Sequence, residues 1–191
     1  MGIPKKLKNM NIHVDGEGYL GRASQYEEPA LALATEDYRG GGMIGSVKIA
    51  LGLEPMEATL KTGGHEASLI RKFGTTRIDG VRVRLTGAYQ ADDGTAAQAV
   101  EIYIGGRFNE ISPGTAKPGD DPEHEFKCAV AYYRRVVDGR TEVEIDMIAG
   151  RFIVDGIDRA DNGFLGLVEM LYIPMMITLV LMEIAVFVEL T

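Results

Sequence analysis

The chain has 191 residues, 46% of them hydrophobic and 25% charged, which is enough to bury a core of its own as one domain. Its 28 acidic residues outnumber the 20 basic ones, so the formal net charge is −8 at pH 7. This balance argues against a protein that grips nucleic-acid phosphates, because lysine and arginine supply that affinity.

The chain begins with a short basic segment, residues 3–8, which we predict to be irregular. A basic segment also opens a secretory signal peptide, but the continuous apolar stretch that such a peptide requires does not follow here. We therefore expect synthesis for the cytoplasm.

Alternating apolar and polar residues predict short strands in the next part of the chain. The predicted strands lie at residues 11–20 (two strands around a turn at Asp15-Gly16), 29–34, 47–53 and 56–62.

Residues 35–45 form a predicted loop that contains three consecutive glycines. Because glycine tolerates positive φ and close backbone approach, the loop is either mobile or specially shaped, and the alternation after it predicts a strand entering a core. This combination is typical of a projecting arm that docks on another surface. The predicted inter-subunit contacts are Tyr38, Arg39, Gly40, Gly41, Gly42 and Met43. The alternative is a simple loop anchor, with Tyr38 half-buried and Arg39 solvated.

Gly40, Gly42 and Gly45 also match the spacing of a dinucleotide-binding G-x-G-x-x-G motif. That motif requires a strand before it and a helix after it. Here we predict a polar turn before it and a strand after it, and no Lys-Ser or Lys-Thr pair follows Gly45. The pattern therefore argues against nucleotide binding.

Residues 64–74 break the alternation and predict a short helix. Ala67, Ile70 and Phe73 are spaced three apart on one apolar face, and Gly74 is a predicted C-cap. We expect this helix to plug one end or face of a sheet.

Strands resume after residue 80, with a polar turn at residues 92–94, a two-residue hairpin turn at Asp138-Gly139 and an acidic loop at residues 112–125. The predicted strands lie at residues 81–89, 100–104, 126–137, 142–146 and 152–154. The fold class is therefore mainly β: an antiparallel β-sandwich or barrel with one short flanking α-helix.

The sequence provides no convergent catalytic groups. His13, His65 and His124 are isolated, which argues against a zinc site, and the acidic residues around His124 lack EF-hand spacing and predict an exposed loop. The single cysteine, Cys128, excludes an internal disulfide framework and fits a reducing compartment; its apolar surroundings predict a small core residue. We expect no enzyme activity, cofactor or metal.

A collinear set of short motifs covers about residues 1–167. The motifs are Ile3–Asn11, Val14–Gly16, Glu36–Met43, Leu51–Glu54, Gly87–Gln90, Gly106-Arg107, Glu110-Ile111, Pro113-Gly114, Lys117–Gly119, Tyr132–Arg134, Val137–Gly139, Val143–Asp146 and Val154–Asp158. Together they resemble the major tail tube protein of contractile-tailed, P2-like bacteriophages, a family that includes the tube of R-type pyocins.

The resemblance implies a virion structural protein with the phage tail tube fold, assembled in the host bacterial cytoplasm. It implies hexameric rings that stack into a hollow tube, with the sheath, baseplate or hub and tail terminator proteins as partners. A tape-measure protein would occupy the lumen during assembly, and DNA would later pass through without specific binding. The charge of −8 suggests a negative lumen that repels DNA. No membrane contact is expected, and tubes of phages, bacteriocins and secretion systems remain alternatives.

The resemblance places a tail tube domain at residues 1–167 and an atypical hydrophobic extension at residues 168–191. The uncharged run at residues 170–182 is shorter than the roughly 18 residues that a membrane span requires, and extending it includes Glu183. The extension is a buried or interface segment, a membrane anchor, or a frameshifted or read-through end. The functional alternatives are a membrane-tethered β-domain and a ligand-binding β-sandwich.

Overall fold

The computed structural model describes residues 3–115, 117–119 and 122–160. In this part of the chain, the backbone forms twelve strands and one short helix. The strands are β1 Lys6–Val14, β2 Glu17–Gly18, β3 Ala23–Glu27, β4 Leu33–Tyr38, β5 Val47–Leu53, β6 Met56–Gly63, β7 Val81–Gln90, β8 Gln98–Ser112, β9 Glu123–Val137, β10 Arg140–Asp146, β11 Arg151–Val154 and β12 Ile157–Asp158; the helix is α1 Ala67–Ile70.

Ten of the strands form one antiparallel sheet. Its main path runs in the order β12-β11-β10-β9-β8-β7-β1-β2; β6 also pairs with β9, and β3 pairs with β6. The remaining two strands, β4 and β5, form a separate two-stranded sheet. The prediction of a mainly β, antiparallel fold with one short helix is confirmed.

The long strand β9 changes its neighbour halfway along one side. Residues 123–130 pair with β6, whereas residues 132–137 pair with β10. Between them Ala131 is an extra residue opposite the Gly105-Gly106 step of β8, and its carbonyl accepts a hydrogen bond from the Met147 amide at 2.9 Å. Such a bulge bends and twists a strand, so one strand can serve two parts of a curled sheet.

The core lies on one face of this sheet, where alternate residues of β1, β6, β7, β8 and β9 point inward. Its largest fully buried side chains are Tyr19, Tyr133, Phe108, Phe126, Ile12, Leu69, Ile102 and Ile145. Cys128 is 3% exposed among them, which confirms the prediction that it is a core residue.

Two predicted turns are confirmed in detail. Asp15 and Gly16 have φ of 49° and 87°, and Asp138 and Gly139 have φ of 48° and 81°. Two consecutive left-handed residues match the right-handed twist of the flanking strands, which is why aspartate and glycine are favoured there. The strands at residues 47–53 and 56–62 are also confirmed.

Several predicted boundaries were wrong. The basic segment is irregular only up to Lys5, because β1 begins at Lys6 and pairs with β7. The strand predicted at residues 29–34 lies instead at Leu33–Tyr38, and the acidic loop is shorter than predicted because β8 ends at Ser112 and β9 begins at Glu123. The sequence missed β3 and β12, which are short and lack a clear apolar alternation.

The predicted helix is one turn long, and its predicted apolar face was wrong. Leu69 is fully buried, whereas Ala67 is exposed and the Phe73 side chain is 52% exposed. The C-cap is Arg71, and Gly74, at φ 77°, ends the following turn. The helix ends at Ile70, so Phe73 lies beyond it and does not continue the helical face of residues 67 and 70. A spacing of three therefore does not define a buried face here.

His124 was predicted to lie in an exposed loop, but it lies in β9 and is 7% exposed. Its ring meets that of His65 edge to face, with the ring centroids 5.7 Å apart. The hydrophobic extension at residues 168–191 lies outside the described residues, as does the membrane anchor considered for it. In the described ranges, no helix is long and apolar enough to cross a membrane.

Candidate assembly site

The clearest candidate site is the hairpin of β4 and β5, which we call the arm (residues 33–53). Its strands pair antiparallel from Leu33 opposite Leu53 to Tyr38 opposite Val47. Within the described residues, neither strand pairs with the main sheet. Almost every residue of the two strands is exposed.

The arm exposes an unusual number of large apolar side chains. These are Leu33 (50% exposed), Tyr38 (53%), Ile44 (102%), Val47 (48%), Ile49 (45%) and Leu51 (66%). Single exposed apolar residues are normal on a protein surface, but a contiguous group marks an interaction site. A two-stranded hairpin is also marginal by itself in water, so this arm gains stability when another surface covers it.

The tip of the arm is a turn shaped by its glycines. The Met43 amide donates to the Gly40 carbonyl at 3.3 Å, and the Gly40 amide donates to the Met43 sulfur at 3.1 Å. Gly42 adopts a φ of 85°, which favours glycine. The Tyr38 ring covers Gly40, where an added Cβ would lie 3.1 Å from the tyrosine oxygen. The tip therefore has a defined, narrow shape.

The structure brings the predicted contact residues to one end of the arm. Tyr38 ends β4, Arg39 is exposed at the tip, and Gly40–Met43 make the turn. Two expectations were wrong: residues 35–38 are strand rather than loop, and β5 does not enter the core.

The apolar surface of the two strands was not predicted as a candidate site. Its signal was present in the alternation of Val47, Ile49 and Leu51, which we assigned to the core. Alternation reveals that one face of a strand is apolar, but it does not reveal which partner covers that face.

The glycine motif at the tip is preceded by a strand, contrary to expectation, but the element that follows it is again a strand. The glycines therefore do not open a helix whose N-terminus would hold a pyrophosphate. This topology argues against dinucleotide binding.

The base of the arm is fixed to the main sheet. A Glu28 carboxylate oxygen accepts hydrogen bonds from the Tyr133 hydroxyl at 3.0 Å and the Arg135 guanidinium at 2.9 Å. Burial raises the pKa of Tyr133, so its hydroxyl stays a neutral donor. The Glu54 amide donates to the Ala32 carbonyl at 2.9 Å, which joins the two ends of the hairpin at its base. The arm thus projects from an anchored base.

The remaining reactive side chains belong to the core rather than to a chemical site. Burial raises the pKa of the Cys128 thiol to about 12, so it stays protonated and is a poor nucleophile at neutral pH. In the part of the chain that the structure describes, no three His, Cys, Asp or Glu side chains converge as metal ligands would.

Comparison with known proteins decides what kind of molecule carries this arm. The model of the family described as phage tail tube protein FII matches residues 4–163. The chain belongs to this family. It is therefore a structural protein of the phage tail and a component of the virion, and the resemblance noted in the sequence is confirmed.

Two relatives of the tail tube protein extend this result. The tail tube protein of Escherichia phage P2 is 38% identical over 165 residues, which are 85% of this chain and 96% of the relative. The major tail tube protein of Serratia phage KSP20 is 37% identical over 158 residues, covering 82% and 91% of the two chains. Both relatives are named as tail tube proteins rather than as enzymes.

The fold of the tail tube protein also occurs in a contractile injection system. A cryo-EM structure of the sheath/tube terminator of the extracellular system PVC, in its extended state, superposes with a TM-score of 0.54 over 71% of this chain and 99% of the other. The two sequences are 12% identical, so the likeness concerns the fold alone.

Proposed function

We propose that this tail tube protein forms the inner tube of a contractile tail by assembling into hexameric rings that stack. The arm supplies contacts between subunits, through the tip residues Tyr38–Met43 and through the apolar side chains of its strands. The observation that carries the proposal is the arm itself: an anchored hairpin whose large apolar side chains are not covered by the other described residues.

The burial of these side chains would supply the driving force. Full burial of one large apolar side chain contributes about 1.5–3 kcal/mol, and several such contributions together oppose the entropy that subunits lose on association. An arm on one copy that meets a different surface on the next makes a heterologous contact. Such contacts close into rings or continue as filaments, which is the geometry that a stacked tube requires.

The partners of the tube follow from its place in the tail. The sheath surrounds the tube, and the terminator and the baseplate or hub cap its two ends; the name of the similar PVC protein supports the sheath and terminator assignments. A tape-measure protein occupies the lumen during assembly, and DNA passes through it without specific binding. The acidic chain, with a net charge of −8, favours a lumen that repels DNA.

We also propose that residues 1–167 form the tube domain and that residues 168–191 are an extension beyond it. The family match ends at residue 163, which supports this boundary. A chain truncated after Leu167 should therefore assemble at least as well as the full-length chain.

Negative-stain electron microscopy of the purified full-length protein, beside the truncated chain, tests the proposal. Hollow tubes or six-fold rings are expected. The electrostatic potential of the lumen, calculated from a structure of the assembled tube, should be negative. Particles that stay monomeric in both chains, or full-length protein that pellets with membranes, would contradict the tube assignment. A basic lumen would contradict the proposed DNA repulsion.

The double variant Ile49→Ser/Leu51→Ser tests the arm. Both side chains are exposed in the single chain, so the melting temperature should stay close to that of the parent while rings and tubes disappear. The matched control is Ile157→Ser, which also removes an exposed isoleucine (54%) but outside the arm. Equal assembly of both variants would remove the arm from the interface.

A further inference from the structure

A groove on the side of the sheet opposite the core has no occupant among the residues that the structure describes. Its volume is about 820 Å³, and its wall and floor include Arg84, Tyr103, Gly105, Tyr132 and Ile148. Gly105 pairs with Tyr132, and an added Cβ would stand 3.2 Å from the tyrosine Cβ, so the missing side chain deepens the groove.

One part of the rim, the turn between β10 and β11, is held in shape and exposes an apolar side chain. The turn between β10 and β11 rises beside the floor because the Asp146 carboxylate accepts hydrogen bonds from the amides of Ile148 at 3.0 Å and Ala149 at 2.9 Å. This turn exposes Ile148, whose side chain is 67% accessible. A rigid groove with an exposed apolar rim is the form of a docking site.

The arm of the same copy does not fill this groove, because β4 and β5 pair only with each other among the described strands and remain exposed on both sides. The arm tip is the candidate occupant. It is narrow because of Gly40–Gly42, and it presents Ile44, the most exposed large apolar side chain of the described residues. The occupant that fits is therefore the tip of a second copy's arm.

Charged residues on the arm and at the groove indicate how the arm tip is oriented in the groove. Two charged residues of the arm, Glu36 and Arg39, make no ion pair with another described residue. At the groove, Arg82 also makes no ion pair with a described residue. The groove residue Asp79 lies on the rim and pairs with the neighbouring Arg77 at 3.0 Å. In each pair the acidic residue comes first and the basic residue follows three positions later, so an antiparallel approach of the two segments brings unlike charges together. Arg39 can therefore meet Asp79 while Glu36 meets Arg82.

We propose that the arm tip of one copy docks into the groove of a neighbouring copy, with Ile44 against Tyr132 and Ile148, Arg39 against Asp79, and Glu36 against Arg82. This contact rests on the proposed tube assembly and defines both of its surfaces. It also makes the arm contact heterologous, since the tip and the groove are different surfaces.

Disulfide trapping tests this contact, because the native Cys128 is buried and does not interfere. The variant Ile44→Cys/Ile148→Cys is assembled and then oxidised with oxygen and copper–phenanthroline. Expected is a ladder of covalent oligomers on non-reducing gels that disappears with reductant. The matched control is Ile44→Cys/Ile157→Cys, because Ile157 is exposed but does not line the groove; this control and each single variant should give no ladder.

Charge reversal supplies a second readout. Glu36→Arg and Arg82→Glu should each reduce assembly about tenfold or more, and the double variant should restore it, whereas both single variants should fold like the parent because the side chains lie at the surface. Tubes that form without the Ile44–Ile148 ladder, or a double variant that is no better than the single ones, would overturn the docking contact and leave the tube assignment intact. A parent protein that never assembles would overturn both.

Discussion

The Tyr133 hydroxyl donates a 3.0 Å hydrogen bond to the carboxylate of Glu28, although the two residues are 105 positions apart in the chain. Arg135, two residues along β9, donates to the same oxygen at 2.9 Å. Glu28 follows β3 and precedes the arm, so this single carboxylate ties the start of the arm to the strand at the centre of the sheet.

We predict that Glu28→Ala destabilises the protein by about 1–3 kcal/mol, because it leaves the buried Tyr133 hydroxyl without its acceptor. Urea unfolding measures the change. Glu142→Ala is the control, because it removes the other carboxylate that pairs with Arg135. The Glu142 side chain is 48% exposed, so its loss should lower the free energy of unfolding by less than about 1 kcal/mol. Equal losses in the two variants would show that the Glu28 contact is an ordinary surface interaction.

The helix provides a prediction in which sequence and structure disagree. Leu69→Ala should cost about 2–5 kcal/mol, because the leucine is fully buried and its removal leaves a cavity. Phe73→Ala should change stability by no more than about 0.5 kcal/mol, because this ring is 52% exposed. Thermal unfolding of both variants measures the two losses of stability. A larger loss for Phe73→Ala than for Leu69→Ala would support the buried face that the sequence spacing predicts.

Gly106 lies beside the bulge of β9, where the backbone of β9 packs closely against β8. An added Cβ would overlap the Ala129 carbonyl oxygen and lie 2.8 Å from the Cys128 sulfur. Gly106→Ala should therefore destabilise the protein by about 1–3 kcal/mol through overpacking. Gly63→Ala is the matched strand control, because its nearest neighbour would be 3.9 Å away. If denaturant unfolding finds the two variants equally stable, the close approach at Gly106 is not a constraint.

Cys128 predicts how stability depends on alkaline pH. Burial raises the pKa of its thiol from 9.0 to about 12, so the unfolded chain loses the proton first as the pH rises. The protonated thiol therefore contributes fully to the free energy of unfolding below about pH 9. This contribution is lost between pH 9 and 12, at about 1.4 kcal/mol per pH unit. The pKa values of Tyr26 and Tyr133 are also raised by burial, which steepens the loss above pH 10.

The variant Cys128→Ala isolates this contribution. Its free energy of unfolding, measured with urea from pH 8 to 11, should fall with a shallower slope than that of the parent between pH 9 and 10, whatever its stability at pH 8. Identical slopes would mean that the thiol ionises equally in both states. Rapid thiol labelling of the folded parent at pH 8 would contradict its burial.

Much of the fold was predictable because local chemistry determined it. The alternation of Val81, Val83 and Leu85 and the Asp-Gly pairs at residues 15–16 and 138–139 were sufficient to predict strands and their turns, since side-chain period and positive φ are local properties. The short motifs were sufficient to identify the family. The strand β3 was missed because its pairing with β6, rather than its own sequence, makes it a strand.

By itself, the sequence determined a mainly β tail tube protein with a glycine-rich tip at residues 40–42. Only the tertiary structure decided which apolar strands are covered: Met56–Gly63 lies over the core, whereas the more apolar Val47–Leu53 remains exposed as the arm. The physical reason is that alternation records the period of a strand and not its surroundings. Whether an apolar face meets the chain's own core or another copy depends on contacts between residues far apart in sequence, such as that of Glu28 with Tyr133.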